Sequence, residues 1–282
     1  MPEKIVRTNP QSPTILTRLN YTRPTAERPR FYANDSSRNA ISRDRRTIQV
    51  EDARLRAQPP SLAQEGFALF PHESAVADFR DPAQLSGIYG PEIERLVTQV
   101  CGADQVVICG PVVLRLKEQP PDWSRRNILR PARFVHVDIS DSTAAARTER
   151  WRPKDNDRSV RRFAYYNVWR ALSPPPQDIP LAVCDARTVS HSDLADADSI
   201  LDTPGEPESS AVVVVVRYNP RHRWSYFPDM SRDEVLVFKS YDSDPGQPCQ
   251  VPHSAFKDPS CPPGVEHRTS VEMRAVAFWF GS

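Results

Sequence analysis

The stretch Phe134-Val-His-Val-Asp-Ile-Ser140 sets a histidine and an aspartate two residues apart among alternating apolar positions. Side chains on a strand alternate between faces, so His136 and Asp138 project side by side, while Val135, Val137 and Ile139 share the other face. An imidazole and a carboxylate so placed can reach one metal ion. The spacing alone is weak evidence, because six histidines give about one H-x-[DE] triplet by chance at ordinary acidic content. Two occur, His136-Val137-Asp138 and His191-Ser192-Asp193. Context separates them. His191 stands in a polar, acidic loop without alternation, so nothing there orients its ring, whereas an alternating strand orients His136.

A 2-His-1-carboxylate facial triad needs one more histidine from another strand. It binds Fe(II) on one octahedral face and leaves three positions open. His253, in Gln250-Val-Pro-His-Ser-Ala-Phe256, follows the turn signal Asp242–Pro248 and opens a strand. His72 precedes the first ligand, the wrong order for this pattern. His222 reads as part of a basic turn, and His267 adjoins an arginine suited to another role. That role is holding an anionic cosubstrate. In an iron oxygenase using 2-oxoglutarate, the far carboxylate of the acid needs a buried cation, and arginine offers a planar bidentate fork. Arg268 and Ser270 form an R-x-S at the mouth of the last strand. Arg274 interrupts the same strand on the same even-numbered face and competes for the role.

These groups need rigid elements to place them. Residues 90–102 predict a helix, with Pro91 in the first turn, Gly102 as C-terminal cap and an apolar stripe at Ile93, Leu96, Val97 and Val100. Strands are expected at 105–109, 112–116, 134–140, 163–172, 179–186, 211–218, 233–243 and 270–280, with 211–218 apolar enough for burial on both faces. The charged stretch 140–162 reads as a helix plus loop that partly covers the site, and 191–210 as an acidic loop. Strands dominate the last two-thirds of the chain, separated by Pro- and Ser-rich turns. The expected fold is mainly β with flanking helices: a double-stranded β-helix, that is, a cupin-like jelly roll. Residues 1–60 are read as an N-terminal arm or hairpin packed on a body of residues 61–282, the whole forming one structural unit.

Bulk composition narrows the classes. The chain has 282 residues and a net charge of +1, so no global field favours nucleic acid or an anionic membrane. Five cysteines without a C-x-x-C pair argue against a disulfide framework and a structural zinc site. No glycine-rich nucleotide loop occurs. No stretch approaches the roughly 20 apolar residues that span a bilayer, and the N-terminal residues have no signal-peptide core. A cytoplasmic protein acting on a small molecule is the expectation.

Several segments together resemble a known family: Thr17–Tyr21, Arg130–Ser140, Tyr165–Leu172, Pro180–Ala186, Tyr218–Ser243, Val251–Pro259 and Arg268–Ala275. The chain resembles the fungal and bacterial hydroxylase/desaturase family of natural-product biosynthesis, typified by an aspergillic-acid oxygenase and a cephamycin methoxylation protein. The resemblance runs from near residue 17 almost to the C-terminus. It implies Fe(II) on His136, Asp138 and His253, 2-oxoglutarate held by an arginine of the last strand, dioxygen as oxidant, and a small substrate, often amino-acid- or peptide-derived. It does not choose between Arg268 and Arg274. Tyr165, Asn167 and Trp169 share one face of their strand and are candidates to line the substrate pocket. Arg170, Phe278 and Phe280 are further candidates, although structural hydrogen bonding and core packing are the commoner roles for such residues. The rival reading is a non-redox cupin-like binding protein or isomerase on the same fold.

Overall fold

The computed structural model describes residues 13–32, 35–117, 128–154, 157–202 and 205–281. Residues 1–12, the start of the expected arm, lie outside the described residues. In chain order the strands are β1 (Thr14–Thr22), β2 (Arg30–Tyr32), β3 (Arg43–Asp52), β4 (Phe67–Pro71), β5 (Gln105–Ile108), β6 (Val113–Arg115), β7 (Ile128–Leu129), β8 (His136–Val137), β9 (Val160–Ala171), β10 (Leu181–Cys184), β11 (Leu194–Leu201), β12 (Ser209–Val216), β13 (Trp224–Tyr226), β14 (Glu234–Asp242), β15 (His253–Ala255) and β16 (Ser270–Phe280).

They form two sheets. The larger runs β1-β3-β13-β10-β15-β8-β12-β11-β2; the smaller runs β4-β14-β9-β16-β6-β7, with β5 also pairing β16. From β8 to β10, and again from β13 to β16, consecutive strands alternate between the sheets. That alternation makes the molecule a jelly roll. Its interior is bridged by Trp169, Leu236 and Phe238 of the smaller sheet packed with Leu181 and Val183 of the larger. The residues described before position 53 are not detached from this body: β1 pairs β3 antiparallel over nine positions, and β3 pairs β13.

The two faces of β9 and β16 follow directly from strand parity. Tyr166, Val168, Met273, Ala275 and Ala277 point away from the other sheet and pack with Tyr89, Ile93, Leu96 and Val97. The last three belong to the helix Gly90–Cys101, which ends at Gly102 with φ of 66°. That is the left-handed conformation glycine adopts without a Cβ penalty. The alternate residues of the same strands face the interior and carry the site.

Two local expectations change. The strand expected over 134–140 is a ladder only at His136–Val137. Ser140 accepts from the amide of Thr143 and caps the helix Asp141–Trp151, so the chain leaves the strand after Val137. Ile139 accordingly packs with Ala144 and Tyr165 rather than in the cluster that holds Val135. The expected acidic loop at 191–210 contains strand β11, paired with all eight residues of β12 and with β2. The hydrogen-bonding edge of the valine-rich β12 overrides the low strand propensity of its aspartates. Burial of β12 on both faces holds only for Val214, Val215 and Val216; its first half is more open.

Candidate metal centre

His136 and His253 come from adjacent strands. β8 and β15 pair antiparallel with these two residues directly opposite each other, and their ring centroids lie 4.3 Å apart. His136 Nδ1 donates to the carbonyl of Phe134 at 2.9 Å, and His253 Nδ1 to that of Val251 at 3.3 Å. Each bond places the proton on Nδ1 and turns the Nε2 lone pair towards the interior, the tautomer a metal ligand needs. His136 Nε2 lies 3.4 Å from Asp138 Oδ1, and His253 Nε2 4.0 Å from Asp138 Oδ2. One ligand atom from each of the three residues falls within a mutual 4.8 Å.

The electrostatics match that geometry. Burial, reinforced by the neighbouring His136, pushes His253 down to about 3, so its ring is neutral. Burial alone would raise the Asp138 carboxyl. The Arg274 guanidinium and the two histidines more than reverse this and hold it well below the usual carboxylate range. His253 Nε2 is buried without a hydrogen-bond partner among the described residues. A buried acceptor left bare is costly. Two imidazoles and one carboxylate are a donor set that fits Fe(II), and a metal ion would supply the missing partner.

The two arginines differ sharply. Arg274 Nε donates to Asp138 Oδ2 at 3.0 Å and its Nη2 to Glu272 Oε1 at 2.7 Å; it is committed to the carboxylates already present. Arg268 is 2% exposed and donates from Nη1 to Ser270 Oγ at 2.8 Å, while Nε and Nη2 have no partner among the described residues. Burial, with Arg115 close by, pulls it down to about 9. Arg268 lines the same narrow cavity as His136, His253, Trp169, Arg115 and Glu272. A buried guanidinium thus keeps two bare nitrogen donors in the cavity that it shares with the metal-ready cluster, a costly arrangement that an anion would relieve.

A protein-family model described as "Oxidoreductase/YMDC permease-like domain" matches residues 19–278. The hydroxylase/desaturase efuI of Hormonema carpetanum is 31% identical over 290 residues, covering 95% of this chain and 96% of the relative. The hydroxylase/desaturase CTB9 of Cercospora beticola is 30% identical, covering 83% and 76%. The Fe(II)/2-oxoglutarate-dependent dioxygenase nvfI of Aspergillus novofumigatus is 30% identical, covering 82% of each chain. The chain belongs to this hydroxylase/desaturase family. Among solved structures, an iron and alpha-ketoglutarate-dependent endoperoxidase NvfI superposes with a TM-score of 0.80 at 24% identity, covering 95% of this chain and 99% of that one. That likeness bears on the fold, and it agrees with the jelly roll.

In this member of the hydroxylase/desaturase family, the remaining residues singled out in the sequence fall into four places. Asn167 joins the centre: its side-chain amide donates to Asp138 Oδ2 and, at 3.3 Å, to Glu272 Oε1, and it accepts from Ser240 Oγ at 2.6 Å. Trp169 lines the cavity beside Arg268, with the guanidinium carbon 5.4 Å from the ring centroid. Tyr165, Phe278 and Phe280 pack together with Val276, Ile139 and Ala144 further along the interior. Arg170 lies on the opposite face of β9. Its guanidinium is spent on the carbonyls of His72 and Arg232, on His72 Nδ1 and on Tyr89, away from the cluster because its parity is even where Asn167 and Trp169 are odd.

Two participants escaped the sequence reading. Glu272 is 3% exposed and ties Arg274, Asn167 and Arg115 together, the last at 3.4 Å. Arg115 ends β6 at the same cavity. The signal for Glu272 was present: it stands between Ser270 and Arg274 on their even-numbered face. Arg115 carried none, because β6 meets β16 only through tertiary pairing. No helix among the described residues is long and apolar enough to cross a membrane.

Proposed function

We propose that the chain is an Fe(II)- and 2-oxoglutarate-dependent oxygenase that hydroxylates, desaturates or oxidatively cyclises a small molecule in natural-product biosynthesis. His136, Asp138 and His253 hold the metal, and Arg268 with Ser270 holds the far carboxylate of 2-oxoglutarate. The observation that carries this reading is the coincidence, in one cavity, of an unpartnered imidazole nitrogen on His253 and unpartnered guanidinium nitrogens on Arg268. A cupin-like isomerase or binding protein has no need of a second, anion-seeking cation there.

Bound Fe(II), with 2-oxoglutarate and dioxygen, supplies the oxidising power to break an unactivated C–H bond, leaving succinate and carbon dioxide. The chain does the rest. Its two Nδ1–H bonds fix the imidazoles before metal arrives. Arg274 and Asn167 hold Asp138 ionised and in place, so its carboxylate does not reorganise on binding. The Arg274 side chain is 29% exposed, whereas Arg268 is almost sealed. The substrate therefore approaches over Arg274 and Asp138, with Tyr165, Phe278 and Phe280 as the apolar wall behind. The cosubstrate occupies the closed end. Holding the two reactants on opposite sides of one centre is what sets which C–H bond reacts.

Within this reading the chain is one structural unit, acts in the cytoplasm, and engages neither nucleic acid nor a membrane, in keeping with its near-neutral charge. Amino acids and small peptides are the substrate class to screen first. The decisive experiment is anaerobic reconstitution with Fe(II), followed by oxygen uptake and succinate release with and without 2-oxoglutarate. Iron retention together with strictly 2-oxoglutarate-dependent succinate supports the assignment. Turnover of a substrate without oxygen or 2-oxoglutarate refutes it.

A further inference from the structure

The cavity beside the metal cluster contains one more bare donor. Trp169 is 2% exposed, and its indole Nε1 has no hydrogen-bond partner among the described residues. It sits on the odd-numbered, interior face of β9, opposite Glu272 of β16 in the register, and lines the cavity with Arg268, Leu181 and Ala255. The guanidinium of Arg268 lies against its ring. A buried tryptophan ordinarily finds a partner for its N–H, and the protein does so elsewhere: Trp224 donates to Tyr21 Oη and Trp279 to the carbonyl of Gly102. Trp169 does not. Of the other polar atoms left bare in this cavity, Arg268 Nε and Nη2 are donors as well, and the one acceptor, His253 Nε2, is the nitrogen assigned to the metal. What all three lack is an acceptor, and a carboxylate offers about four lone-pair sites.

We propose that the indole N–H of Trp169 donates to the same far carboxylate of the 2-oxo acid that Arg268 binds, and so helps to select a dicarboxylate over a 2-oxo acid with an apolar end. This rests on the assignment of the Arg268 cavity to the cosubstrate. Trp169 thereby acts in two ways. Its ring face supports the guanidinium, and its edge supplies a directed donor. The neutral indole also adds no charge to a pocket already holding Arg115 and Arg268. Glu272 offsets Arg115 by pairing with it, which leaves the Arg268 charge for the ligand.

The test is a comparison of two acids on the Zn(II)-loaded protein: 2-oxoglutarate and 2-oxopentanoate, which has the same chain length with a methyl in place of the far carboxylate. Binding is measured by calorimetry for wild type, Trp169→Phe and Arg268→Leu. Trp169→Phe keeps the ring and removes the donor. It is expected to weaken 2-oxoglutarate by about ten- to a hundredfold, the usual worth of a hydrogen bond to a charged group, while leaving 2-oxopentanoate unchanged. Equal weakening of both acids means a packing role and overturns the proposal, as does no weakening of either. Arg268→Leu is expected to erase the preference for 2-oxoglutarate. If it does so while Trp169→Phe keeps that preference whole, only the Trp169 proposal fails. If Arg268→Leu keeps the preference, the cosubstrate assignment fails with it. A second measurement needs no variant: among the indole N–H proton resonances of the five tryptophans, one should move strongly on adding 2-oxoglutarate and stay put with 2-oxopentanoate. If none moves, the indole is not a donor to the ligand.

Discussion

The chain contains the same triplet twice, and the two copies have opposite fates. Around His136-Val137-Asp138 the histidine is buried, its Nδ1 is tied to a backbone carbonyl, and its Nε2 points at a carboxylate and a second imidazole. Around His191-Ser192-Asp193 the residues form a single 3-10 turn, with His191 exposed. Asp193 there accepts from the amide of Ser190, from Asn219 and from His222 Nε2, whose Nδ1 reaches Tyr21 Oη at 3.3 Å. That second cluster is saturated. Every polar atom named in it has a protein partner, whereas the first leaves His253 Nε2 and part of Arg268 bare. The lesson is that spacing selects candidates and unsatisfied valence selects among them.

The contrast can be broken or sharpened by substitution. His136→Ala has the largest expected effect: iron retention and succinate formation both lost, read by metal analysis and product assay. Titrating the metal-free protein comes next. The folded His253 is pushed down to about 3 from an ordinary 6.5, so on acidification the unfolded chain takes the proton first. Stability is then full above about 6.5 and falls as pH drops towards 3, and the low Asp138 pKa extends the loss further into acid. Urea midpoints across this range should show the slope, and loading with Zn(II) should shift it to lower pH.

Removing a supporting group has a smaller effect. Asn167→Ala is expected to weaken metal binding by about ten- to a hundredfold without unfolding the protein, checked by competitive chelation. In the second cluster Asp193→Ala is expected to cost about 1–3 kcal/mol of stability, because it strips partners from His222 and Asn219, with metal affinity unchanged. His191→Ala should alter neither iron content nor succinate yield. A loss of iron there equal to that of His136→Ala would show that the wrong triplet has been assigned.

Much of this was legible in the chain. Alternation placed His136 with Asp138, and Ser270 with Arg274, on shared faces. The Gly102 stop and the apolar stripe marked the helix behind β9 and β16. The reading failed where pairing partners decided the outcome. The aspartates of β11 are drawn into a strand by β12, and Arg170, whose face parity did assign, is held there by His72, Tyr89 and Arg232, contacts that no local pattern announced. Arg115 was invisible because its relevance depends on β6 lying beside β16.

By itself, the order of residues determined which side chains look the same way along each strand, since that follows from a backbone repeat of two and needs no neighbour. It also held the family likeness in its scattered segments. Only the tertiary structure decided which of those faces meet: that His253 stands opposite His136, that Arg274 is claimed by Asp138 and Glu272, and that Arg268 and Trp169 are left without partners. Whether a buried donor is satisfied is a property of everything packed around it, and most of those atoms come from parts of the chain remote in sequence.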